Sequence, residues 1–273
     1  MKFLMNVGAE KAGTTWFYKY FESHPEFVSC GKELNIIERD TFVPTLTKSH
    51  EFKKDIKSWF NYVATLDKPT GDFTHYEGSS ENIFKLFKDG LADKGIEVVP
   101  VYIMRDPIDR AWSCWNMFYD YIYYHKRHSI LKHIARVDPI KASIIENISN
   151  VSSRYDFEMH PIAQLFVGSY LTPEYKRTVE ALDSVFDEPL YFFYEQLFDQ
   201  RNIDLVCDRL DIPHHLINMT PINKGVYQGA APREFIDAFC STKAFEENIV
   251  FVSERFSDVP WNIQNYKEIG AKR

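Results

Sequence analysis

No stretch of this 273-residue chain carries the roughly 18 consecutive apolar residues that a membrane-crossing helix needs. The apolar opening, Met1 to Gly8, is also too short for a signal peptide, because charged Glu10 and Lys11 follow where an apolar region should continue. A soluble, cytoplasmic protein with no membrane partner is expected. Cysteine is scarce: Cys30, Cys114, Cys207 and Cys240 lie far apart and form no C-x-x-C or mixed Cys/His cluster. That excludes a zinc-ligand pattern and a disulfide scaffold, and scattered thiols suit a reducing compartment. Excess positive charge is missing too. The formal charge of −7 argues against a dedicated nucleic-acid binder, although an acidic average leaves room for a local basic cleft. Internal repeats and low-complexity tracts are absent.

What is present is apolar material: 45% hydrophobic and 16% aromatic residues, ample for a packed core. One domain over 1–273 is expected. The chain alternates strand and helix patterns. Phe3–Val7 reads as a buried strand, followed by a glycine-bearing turn and a helix over about 14–23 that His24-Pro25 terminates. A helix is expected over 50–62, a short strand near 70–74, and a helix over about 80–89. The apolar run 98–104 reads as a central parallel strand buried on both faces. Asp106 then caps a helix with Pro107 in its first position, reaching about Tyr124. Its Ile108, Ala111, Trp112, Trp115, Phe118 and Ile122 form a core stripe, with Arg110, Ser113 and Met117 on another. A strand over 190–194, a helix over about 203–210 and a helical stretch over 232–256 follow. The expected class is α/β, a central, mostly parallel sheet flanked by helices.

Between the first strand and helix stands Gly8-Ala-Glu-Lys11-Ala12-Gly13-Thr14-Thr15-Trp16. Glycines allow the tight turn, and free amides at a helix N-terminus suit a phosphate. The two glycines have Walker A spacing, but Thr14 occupies the lysine position and the lysine comes earlier, as Lys11. A kinase loop would put its lysine on the β and γ phosphates with a hydroxyl on magnesium. The displaced lysine points away from that chemistry, and the plainest alternative is an ordinary strand–turn–helix with a surface lysine.

The second constellation is Arg105-Asp-Pro-Ile-Asp-Arg110-Ala-Trp-Ser113. An arginine at the C-terminal end of a strand lies where open α/β sheets bind ligands. Its fork suits phosphate oxygens, each charge-assisted bond contributing roughly 1.5–3 kcal/mol. Ion pairing with neighbouring carboxylates is the plainer reading.

Together these segments resemble the two signature motifs of the PAPS-dependent sulfotransferases: the 5′-phosphosulfate loop, K-x-G-T-T, and the 3′-phosphate motif, R-[DN]-P-x-x-R-x-x-S. Gly168-Ser169-Tyr170 resembles the family's G-S-[YW] segment. Leu190 to Leu197 resembles a strand ending in F-Y-E-D-L, whose tyrosine, here Tyr194, contacts adenine. Asn223-Lys224-Gly225 resembles the late K-G element that closes over the 3′ phosphate. The resemblance covers most of the chain except about 40–65 and 122–160, and lies closer to the carbohydrate and bacterial-type branch. It implies a P-loop-like sulfotransferase fold and a donor, 3′-phosphoadenosine 5′-phosphosulfate (PAPS), leaving as 3′,5′-adenosine bisphosphate without a metal. Lys11 would offset charge on the leaving oxygen. Lys11, Ala12, Gly13, Thr14, Thr15 and Trp16 would hold the 5′ side, and Arg105, Ser113, Lys224 and Gly225 the 3′ phosphate.

Two residues compete as the base that activates an acceptor hydroxyl or amine. Lys32-Glu33 resembles the segment whose glutamate is the base in the carbohydrate branch. Phe73-Thr74-His75 sits where the small-molecule branch has K-T-H. Phenylalanine replaces the lysine that each branch usually carries, and Asp72 adds a further charge. His75 titrates near neutrality, whereas Glu33 needs burial to raise it; the motif context favours Glu33 slightly. Residues 121–137 carry Lys126, Arg127, Lys132 and Arg136 without an acid. Within a variable helical segment over about 122–160, they would attract an anionic acceptor such as a glycan, or form a solvated face. The sequence names neither the acceptor nor the oligomeric state. Two rival readings are a P-loop kinase using magnesium and ATP, and a non-catalytic nucleotide-binding protein on the same fold.

Overall fold

The computed structural model describes residues 1–32, 56–76, 78–123, 174–217, 229–263 and 266. These group into two compact units, one holding the described parts of 1–105 and 174–217, the other those of 106–123 and 229–266.

The first unit is the α/β core. Its strands are β1 (Lys2–Gly8), β2 (Val28–Ser29), β3 (Thr70–Asp72), β4 (Glu97–Met104) and β5 (Leu190–Phe193). They form one sheet in the order β2-β3-β1-β4-β5, and every pairing is parallel. Leu4 pairs with Gly71 on one side and Val99 on the other, so β1 is central. Phe3, Leu4, Met5 and Val7 are wholly buried, as expected of a strand covered on both faces. Its helices are α1 (Thr14–Ser23), α2 (Ile56–Val63), α3 (Glu81–Ala92), α5 (Tyr175–Val185) and α6 (Gln200–Arg209), α4 belonging to the second unit. Phe3 packs edge-on to Trp59 of α2 at 5.4 Å and near-parallel to Phe87 of α3 at 6.5 Å.

The second unit contains α4 (Pro107–Tyr123), α7 (Arg233–Cys240) and α8 (Lys243–Arg255). Asp106 Oδ1 accepts the amides of Ile108 (3.0 Å) and Asp109 (3.1 Å), capping α4 as expected. Ile108, Ala111, Trp112 and Trp115 are buried. Trp112 donates its indole N–H to the Gly229 carbonyl at 2.8 Å and meets Phe235 of α7 at 5.0 Å. Phe235, Phe239 and Phe245 continue that aromatic seam.

Several expected boundaries move. The helix expected over 232–256 is two helices, because Thr242 accepts the Phe245 amide and starts a new one. α3 runs past Asp89 to Ala92, since Leu91 extends the buried stripe of Phe84 and Phe87. α6 starts three residues early, where Asp199 accepts the Arg201 amide. β3 stops at Asp72 rather than near Thr74, because the Asp72 side chain captures the Thr74 amide. The two-residue strand β2, opposite Thr70 and Gly71, carries too short a pattern to be read in advance. The four cysteines are free thiols. No helix among the described residues is long and apolar enough to cross a membrane.

Candidate functional site

Sheet order fixes where chemistry can sit. β1 and β4 are neighbours, yet the chain leaves β1 for β2 at one edge and after β4 rejoins the sheet as β5 at the other. Open α/β sheets bind ligands in the crevice that such a reversal opens beyond the strand C-termini. The loop after β1 and Arg105 after β4 both lie there.

The loop is built tightly. The Ala9 amide donates to the Ile103 carbonyl of β4 at 2.7 Å, and the Ala12 amide donates back to the Ala9 carbonyl at 3.1 Å. Lys11 takes φ 64° and Gly13 φ 82°. A left-handed lysine is strained, and such strain persists where the surroundings enforce it, often at functional sites. Gly13 caps α1 without a side-chain acceptor, and the first turn carries no acid. The positive end of the helix dipole is therefore left for another anion.

Arg105 closes onto this loop. Its Nη1 donates to the Lys11 carbonyl at 3.0 Å, and its guanidinium lies 4.6 Å above the Tyr194 ring at the end of β5. Tyr194 in turn presses on Gly13, where a Cβ would meet Cδ2 at 2.8 Å. The Nε of Arg105 is buried with no acceptor among the described residues. A buried donor without a partner costs about 1–3 kcal/mol, and an anion would remove that cost. The donor set of Lys11, Arg105 and the uncapped start of α1 thus fits a phosphate-bearing group. Sequence reasoning missed Tyr175, wholly buried, whose hydroxyl donates to the Arg105 carbonyl and accepts its amide at 3.4 Å. A tyrosine opening a helix carries no signal of such a role.

His75, after β3, reaches the same loop: its Nε2 is 3.0 Å from the Thr14 hydroxyl. Phe73 does not. It is wholly buried among Phe17, Tyr18, Phe21 and Phe27, so a lysine in its place would enter apolar core rather than a cleft. Asp72 is also wholly buried. Its carboxylate accepts the Thr74 amide (3.0 Å), the Thr74 hydroxyl (2.6 Å) and the Tyr76 hydroxyl. Burial raises its pKa above the ordinary carboxylate value, and these hydrogen bonds offset only part of that rise.

The expected residues divide accordingly. Lys11, Ala12, Gly13, Thr14, His75, Arg105 and Tyr194 come together at the C-terminal end of the strands, with Thr15 half-buried in the first turn of α1. Trp16 is buried against Tyr20 and Phe198. Ser113, half-buried on α4, belongs to the second unit. Glu33, Lys224, Gly225, Gly168-Ser169-Tyr170 and most of the basic stretch 121–137 lie outside the described residues.

No protein-family model and no curated protein matches the chain. Among solved structures, the fold is similar to a sulfotransferase from Alicyclobacillus acidocaldarius. The match covers 97% of this chain and 98% of that one, with a TM-score of 0.51 at 13% identity. The two share a fold.

Proposed function

We propose that the protein is a sulfotransferase, transferring the sulfuryl group of PAPS to an acceptor hydroxyl or amine. The observation that carries this reading is the Arg105–Lys11 contact: a displaced-lysine loop, uncapped at its helix, locked at 3.0 Å to an arginine with an unmet buried donor. The shared sulfotransferase fold supports it.

In this reading the donor supplies an activated sulfur–oxygen bond. Lys11 offsets negative charge growing on the leaving oxygen, and the amides at the start of α1 hold the 5′ side. Arg105 takes the 3′ phosphate, with Ser113, Lys224 and Gly225 assigned to it by motif. Tyr194 lies against the arginine as a platform for the base. His75, bonded to Thr14 of the same loop, is the proposed general base, ahead of Glu33. The acceptor is a glycan or a small molecule. A magnesium kinase would want a free carboxylate at the end of a core strand, but Asp72 spends its oxygens on Thr74 and Tyr76.

Calorimetric titration tests this. Micromolar binding of 3′,5′-adenosine bisphosphate, independent of metal and weakened about tenfold or more by Arg105→Ala, is expected from the loss of one or two charge-assisted bonds. Preference for ATP with magnesium, or indifference to Arg105→Ala, overturns the proposal.

A further inference from the structure

We infer that Asp72 is a positioning residue for His75, holding the histidine by both of its chain neighbours. Residues 72–76 run Asp-Phe-Thr-His-Tyr, and four of them are sealed in: Asp72 and Phe73 are 0% exposed, Thr74 2% and Tyr76 1%. His75 alone is half-exposed. One carboxylate brackets it. Oδ1 accepts from the Thr74 amide at 3.0 Å and hydroxyl at 2.6 Å, on the N-terminal side of His75. Oδ2 accepts from the Tyr76 hydroxyl, on the C-terminal side.

The Tyr76 end is fixed again from outside. Its amide donates to the Val7 carbonyl of β1 at 2.8 Å, and its ring meets Phe87 of α3 edge-on at 5.2 Å. The backbone of His75 is therefore suspended between two clamped residues. Its ring Nε2 reaches Thr14, 3.0 Å away at the start of α1. Rotation of the loop about either neighbour would carry the ring off the threonine.

The cost of the device argues for its purpose. Taking a carboxyl group wholly out of water is expensive unless hydrogen bonds compensate it. Three hydrogen bonds satisfy Asp72, but an ordinary turn would end β3 without burying a charge. What the carboxylate adds is one fixed conformation for the residue between its partners, and misplacing a reacting group by about 1 Å is enough to lower turnover on the order of 10²-fold.

The kinetic consequence rests on the sulfotransferase reading; the geometric claim does not. Asp72→Asn and Tyr76→Phe would be compared with the parent by long-range ¹⁵N–¹H correlation of the histidine rings, with His75→Gln to assign the signals. Calorimetry with 3′,5′-adenosine bisphosphate and PAPS turnover complete the set. Tyr76→Phe loses a single hydroxyl, so it remains informative if Asp72→Asn fails to fold. The expected result is a moved or broadened His75 ring signal in the variants and bisphosphate affinity within about twofold of the parent. With it goes a kcat lowered about 10- to 100-fold at nearly unchanged KM for the donor. A variant that melts earlier yet keeps the parent's His75 signal and kcat shows Asp72 to be structural only, and overturns the inference. A parent protein that neither binds the bisphosphate nor turns over PAPS overturns the sulfotransferase reading instead. The ring spectra then still decide whether Asp72 holds His75.

Discussion

Where the strands of the sheet begin, Lys2 lies 3.1 Å from Asp211 and 3.8 Å from Glu97, and Arg209 lies 2.9 Å from Glu188. Where the same strands end, Arg105 gives Nη1 to a carbonyl and keeps a buried Nε with no acceptor among the described residues. The first set is half-exposed surface pairing, each pair contributing about 0–1 kcal/mol. The second leaves one buried donor unmet, a cost of about 1–3 kcal/mol. Left-handed backbone occurs at both ends: Lys11 and Gly13 take positive φ beside Arg105, and Asp211 takes φ 55° beside Lys2. Paired charges at one end and, among the described residues, an unmet buried donor at the other support the proposed ligand end independently of any motif.

Substituting basic residues at the two ends should test the contrast most sharply. Lys11→Ala is expected to lower PAPS turnover about 10²- to 10³-fold, the usual loss on removing one group that stabilises transition-state charge. Lys2→Ala and Arg209→Ala should leave turnover within about twofold and stability within about 1 kcal/mol. Steady-state kinetics on the three variants decides. Equal losses at both ends would erase the contrast.

A pair of glycines sharpens it. Gly13→Ala and Gly95→Ala both force an alanine into left-handed backbone, at φ 82° and 69°, a cost of roughly 1–2 kcal/mol each. Gly95 has nothing within 4 Å of a new Cβ, whereas at Gly13 that Cβ would sit 2.8 Å from Tyr194. Chemical denaturation should therefore show Gly13→Ala as the more destabilised variant. Tyr194, pushed off its place, should also loosen the Arg105 stack and weaken binding of the bisphosphate. Matching denaturation curves would mean that Tyr194 yields freely.

The two ends were unequally legible in the sequence. Glycine spacing, the displaced Lys11 and Arg105 after an apolar run are local patterns; strand–helix alternation gave the parallel α/β class, and these residues pointed to the strand ends after β1 and β4 where the site is proposed. Phe73 and Asp72 were legible only as departures from a motif. Whether a strand-end side chain enters the core or the cleft depends on the turn that follows, and that turn is set by Asp72 reaching Thr74 and Tyr76. Tyr175 lies 70 residues from the Arg105 backbone it holds, a tie no local pattern encodes. The break at Thr242 went unread because the apolar periodicity continues across it, while the capping hydroxyl is one residue among many threonines.

The smallest expected effect concerns acid at the end where strands begin. His24, just past α1, is buried. Its Nε2 donates to the Pro213 carbonyl at 2.9 Å while its Nδ1 accepts the Glu26 amide at 3.1 Å. That pair of bonds specifies the neutral ring, and burial, followed by the nearby His215, pushes its pKa below the usual histidine value. A proton therefore binds the unfolded chain more readily than the folded one. Stability from His24 is complete above the ordinary value near 6.5 and is lost as pH falls from there through the depressed one. The loss is at most one proton's worth, about 1.4 kcal/mol per pH unit. Exposed His214 works oppositely: its bond to Asp208 raises its pKa, so its contribution is present at low pH and fades as pH rises. Melting temperature between pH 5 and 8 should thus fall more steeply on the acid side for the parent than for His24→Gln, which keeps an N–H for Pro213 but cannot titrate. Bisphosphate affinity, governed at the other end of the sheet, should show no matching difference between the two. Identical melting profiles would mean that His24 takes up its proton equally readily folded and unfolded, and that it makes no acid-sensitive contribution to stability.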